Sequence, residues 1–90
     1  MRGIILSPMN ELSDPNPLPP LPATAPGRYR HYKGGEYEVI GTVRHSETLQ
    51  PLVLYRPLYG SGGDWVRPHA MFFETVVIDG ITQPRFTRIG

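Results

Sequence analysis

Cysteine is absent from this 90-residue chain. That excludes disulfides, thiolate metal sites and cysteine nucleophiles, and leaves burial and hydrogen bonding to hold the fold. Net charge is nearly absent as well: nine Lys and Arg against eight Asp and Glu leave +1. Nucleic-acid binders usually carry a clear basic excess. No apolar run approaches the ~20 residues of a membrane span. Arg2-Gly3-Ile4-Ile5-Leu6 is too short for the hydrophobic region of a signal peptide. The chain therefore reads as soluble, cytoplasmic by default and without a membrane partner. There is no nucleophile elbow and no phosphate loop. Gly60-Ser61-Gly62-Gly63 lacks the lysine and the following helix that such a loop requires.

What is present is unevenly distributed. Residues 1–26 hold seven of the 11 prolines and none of the nine aromatics. Asp14-Pro15-Asn16-Pro17-Leu18-Pro19-Pro20-Leu21-Pro22 cannot form a helix or an inner strand, because proline donates no hydrogen bond. The sequence predicts a disordered, Pro-rich N-terminal tail over residues 1–26 and a small domain over 27–90. Proline-spacing motifs such as Pro19-Pro20-Leu21-Pro22 resemble ligands of proline-binding modules, but a linker or leader explains them more simply. A start codon assigned upstream of the natural one would explain part of the leader.

From Gly27 onward short extended segments alternate with turns. Glu36–His45 is the clearest strand: Tyr37, Val39 and Val43 are expected to share a buried face, with Glu38, Thr42 and Arg44 opposite. Gly41, on the apolar face, marks a bend or a close crossing. Leu52–Arg56 is apolar on both faces, as a central strand would be. Trp65–Arg67 is extended, His69–Phe73 suits one helical or 3₁₀ turn after a proline, and Asp79-Gly80 is a hairpin turn between Glu74–Ile78 and Ile81–Phe86. The last four residues are expected to fray. Together these predict a mainly β domain: a small SH3-like barrel of five or six short strands with one helical turn.

Tyr55-Arg56-Pro57-Leu58-Tyr59 and Trp65-Val66-Arg67-Pro68 flank the glycine turn. Aromatics beside arginine forks are common material for a contact surface. The expected ligand-binding residues are His45, Glu47, Arg56, Tyr59, Trp65 and Arg67. Tyr29, Tyr37 and Tyr55 are expected to fill the core with hydroxyls at the rim. The leading reading is a non-enzymatic binding or interaction module for a peptide or a small anionic ligand, with no cofactor and no metal. Two alternatives compete. One is a small hydrolase or metal-dependent enzyme centred on His45, Glu47 and Arg67. Its ligand pool would be His31, His45, His69, Glu47 and Glu74, which lack a tight pair such as His-x-x-x-His. The other is single-stranded nucleic-acid binding through Tyr29, Tyr32, Tyr55, Tyr59 and Trp65 with Arg28, Arg30, Arg56 and Arg67.

Several separated motifs carry a family resemblance. They are Tyr29-Arg30-His31-Tyr32-Lys33-Gly34-Gly35, His45-Ser46-Glu47-Thr48, Val53-Leu54-Tyr55-Arg56-Pro57-Leu58-Tyr59, Trp65-Val66-Arg67-Pro68, Met71-Phe72 and Arg85-Phe86. In this order they resemble the bacterial domain of unknown function 1653 family over residues 27–86. The resemblance implies a small, mainly β domain and supplies no activity, cofactor or catalytic residue.

Overall fold

The computed structural model describes residues 18–90. Seven strands form two antiparallel sheets: β1 (Gly27–His31), β2 (Glu36–Arg44), β3 (Pro51–Pro57), β4 (Trp65–Pro68), β5 (Thr75–Ile78), β6 (Ile81–Pro84) and β7 (Phe86–Arg88). Among the described residues a single helical turn, α1 (His69–Phe72), follows Pro68. The larger sheet has the order β4-β3-β2-β1-β7, and β5 and β6 form a separate hairpin. A closed barrel does not form, since β4 and β7 are both edges of the larger sheet. The sheet nonetheless curls until its edges approach, and the Arg67 guanidinium on β4 lies 5.6 Å from the Phe86 ring centroid on β7.

The inner face of that curl is the core. Tyr29, Tyr37, Val39, Val53, Tyr55, Phe72 and Phe86 form one cluster, with Val53 and Phe72 at 0% exposure. Phe72 stacks on Phe86 at 4.0 Å and meets the edges of Tyr29 and Tyr55. The helical turn thus delivers one large ring beneath the sheet. Burying such a ring contributes roughly 1.5–3 kcal/mol.

The expected alternation of β2 fails halfway. Val39 pairs with Tyr55 but Gly41 pairs with Leu54, so Ile40 is an extra, bulged residue. A bulge of one residue moves every later side chain to the other face. Thr42 therefore sits opposite the buried Val53, and Val43 sits opposite Leu52 on the outer side, half-buried. The expectation that Val43 points into the core is corrected on this ground.

The chain ends also differ from expectation. Ile81–Phe86 is not one strand: pairing with β5 stops at Pro84, and β7 pairs instead with β1. The last residues do not fray in this structure, since the Ile89 amide donates to the Arg28 carbonyl and the Arg28 amide to Gly90. A Cβ on Gly27 would lie 2.6 Å from the Gly90 carbonyl oxygen, and its φ of 132° disfavours side chains, so glycine is required there.

The expected tail falls outside the described residues over 1–17. Residues 18–26 carry no regular structure, yet they touch the domain. Thr24 is buried with its hydroxyl 2.5 Å from that of Thr42. Ala25 accepts from the Tyr29 hydroxyl, Pro19 from Arg44, and Pro26 from Arg88.

Candidate aromatic and arginine binding surface

Register brings three of the expected residues together. Trp65 sits opposite Tyr55, and Arg67 opposite Val53, so both project from the inner side of β4. Trp65 is 44% exposed, with its ring 5.9 Å from Tyr37 and 6.0 Å from Tyr55. Tyr59 joins from the loop after β3, its hydroxyl 2.8 Å from that of Tyr37. Arg67 donates from Nε to the Tyr55 hydroxyl at 3.3 Å. The patch thus has buried tyrosines as its floor, and exposed Trp65 and Tyr59 beside a half-buried guanidinium.

The other three expected residues lie elsewhere. Arg56 points to the outer face and pairs with Asp64 at 3.2 Å. His45 and Glu47 occupy the β2–β3 turn, where His45 Nδ1 accepts the amides of Glu47 and Thr48. In register Arg67 lies opposite Val53 and Val53 opposite Thr42, so His45 follows three residues beyond the β2 position in line with Arg67. Among the described residues no hydrogen bond or ion pair joins His45 or Glu47 to Arg67, which bonds to Tyr55 instead. Among the described residues no three His, Asp or Glu side chains come close enough to share a metal ion.

The aromatics and arginines considered for stacking nucleic acid are divided between faces. Tyr29 and Tyr55 are buried. Arg28 and Arg56 flank Glu38 in register, and Arg30 is opposite Glu36, 3.2 Å from its carboxylate. Each outer-face arginine thus has an acid as its neighbour.

Tyr37 lies in the core as expected and also floors this surface, while His31, which the sequence offers only as a metal-ligand candidate, borders it. His31 packs its ring edge-on to Phe86 at 4.9 Å. Burial, then Arg67, Arg85 and Lys33 in that order, hold its pKa below the ordinary histidine value. Tyr37 is pushed up to about 12, chiefly by burial and then by its bond to Tyr59, so it stays protonated. The register between β1 and β7 carries His31 to Phe86, and no local pattern announces it. Two shallow recesses are not lined by Arg67, though the second reaches His31. One, about 310 Å³, adjoins Arg28, Glu38 and Gly90; the other, about 250 Å³, adjoins Arg30, Tyr32 and Pro84. Among the described residues no helix is long and apolar enough to cross a membrane.

Comparison with known proteins adds ancestry. None of the curated proteins matches the chain. A crystal structure of a protein from Bordetella bronchiseptica, of the family named DUF1653, is similar with a TM-score of 0.69 and 39% identity, covering 74% of this chain and 88% of that one. The family model "Protein of unknown function (DUF1653)" matches residues 27–88, and this chain belongs to that family.

Proposed function

We propose that the domain is a non-enzymatic binding module whose ligand, a peptide or a small anionic molecule, meets Arg67, Trp65 and Tyr59. One observation carries the reading. Arg67 is half-buried, and among the described residues no carboxylate lies within ion-pair distance of it, whereas Arg30, Arg56 and Arg85 each have one. A partly desolvated charge is normally compensated, and an anion supplied by a ligand would do so. The curled sheet, with a helical turn ahead of its last strands, supports an SH3-like reading of the arrangement. A cytoplasmic setting is assumed with it.

Trp65 is the sole tryptophan, so its fluorescence reports on this surface directly. Titration with N-acetylated amino acids, inorganic phosphate and pooled acidic peptides tests the proposal. Arg67→Ala is expected to weaken whichever probe binds by tenfold or more, because a charge-assisted hydrogen bond contributes roughly 1.5–3 kcal/mol. Its stability should fall by only about 1 kcal/mol, for the lost bond to Tyr55. If Arg67→Ala unfolds the domain and the surviving folded fraction binds unchanged, Arg67 is a structural tie and the reading fails.

A further inference from the structure

Neither of the two recesses is lined by Arg67, Trp65 or Tyr59, whereas small molecules mostly occupy concave pockets. The Arg67 surface also lies on an edge. β4 is the terminal strand of its sheet and pairs only with β3 among the described residues. Trp65 and Val66 alternate on its two faces and both are about half exposed. An edge strand offers unpaired amides and carbonyls to another chain. Pro68, the last residue of β4, has no amide to give. A chain added to this edge can therefore receive no β4 amide beyond that of Arg67. Among the described residues Arg67 has no carboxylate within ion-pair distance, and its planar fork fits a planar carboxylate in two parallel bonds.

Resting on the binding reading above, we infer that the occupant is an extended peptide. Its C-terminal carboxylate meets the Arg67 guanidinium, and its backbone adds to the free edge of β4 over Trp65–Arg67. Exposed Trp65 and Tyr59 take the apolar side chains nearest that end. Strand addition gives affinity through the main chain, and the carboxylate fixes the end of the register.

The test uses the full chain and a pool of N-acetylated hexapeptides prepared twice, as free acids and as C-terminal amides. N-acetyl-phenylalanine and inorganic phosphate are run beside them. Trp65 fluorescence and amide NMR shifts are read together. The acid pool is expected to move Trp65 and the β4 amides. The amide pool should bind at least tenfold more weakly, and Arg67→Gln should remove that difference. Equal binding of acids and amides overturns the inference while leaving a peptide surface. Phosphate binding more tightly than the acid pool, or N-acetyl-phenylalanine matching it, also overturns the inference but keeps the anion-binding reading. If no probe perturbs Trp65 at millimolar concentration, both fail. The acid-to-amide comparison is made on the unmodified protein, so it holds even if Arg67→Gln does not fold.

Discussion

His31 sits where every local influence disfavours its protonated form. Burial is the largest, and Arg67, Arg85 and Lys33 act in the same direction. Its Nδ1 already accepts the Lys33 amide at 3.1 Å, which also favours the neutral ring. A base whose folded pKa lies below its unfolded value of about 6.5 holds fewer protons folded than unfolded between those two values. Stability therefore rises with pH across that window. The contribution of neutral His31 is complete above about 6.5 and is lost as the pH falls toward the folded-state value. Between about pH 7.5 and about pH 5 the melting temperature of His31→Gln should decline less than that of the unaltered protein. Parallel declines would show that His31 is not linked to folding. The substitution itself lowers stability through lost contact with Phe86, so the slope and not the absolute value is the reading.

At the level of elements, the bulge at Ile40 decides which β2 residues matter. Val39 is 1% exposed, and Val43, four residues on, is half-buried on the opposite side. The same chemical change at both positions separates them. Val39→Thr buries a hydroxyl with no partner and should cost about 1–3 kcal/mol. Val43→Thr should stay within about 0.5–1 kcal/mol. Chemical denaturation of the two variants measures the difference, and equal losses would mean that β2 keeps a single register through Ile40. The first half of β2, the central β3, the helical turn and the Asp79-Gly80 hairpin are legible in the sequence, because each rests on local periodicity or on one punctuating residue. Bulges are not, since Ile40 and Gly41 read equally well as strand positions until a partner strand is chosen. The pairing of β7 with β1 joins residues nearly sixty positions apart, a separation no short window can sense. The candidate site divides in the same way. Trp65 and Arg67 are found from period-2 spacing alone, whereas only strand pairing reveals that Arg56 turns to the opposite face and that His45 and Glu47 are taken up in a turn.

For the molecule as a whole, the irregular segment 18–26 acts as part of the fold. Thr24 and Ala25 satisfy Thr42 and Tyr29 on the inner side of the sheet. Removing residues 1–25 leaves the buried Tyr29 hydroxyl without its acceptor and strips cover from Thr42. That should cost about 1–3 kcal/mol, a fall of roughly 4–8 °C in melting temperature per kcal/mol for a domain of this size. Thermal unfolding of the truncated chain checks it, and an unchanged midpoint would show that the segment is dispensable for folding.

The β1–β7 pair also sets how the domain meets mechanical load. Gly27 and Gly90 lie against each other at the same end of two antiparallel strands. Tension applied through these two points runs across the ladder, not along it. The hydrogen bonds then open one after another, as a zipper does, and never share the load. The domain should yield at low force when drawn from residues 27 and 90. It should resist far better when held between β2 and β3, where the long ladder from Tyr37–Pro57 to Arg44–Pro51 can be loaded in shear.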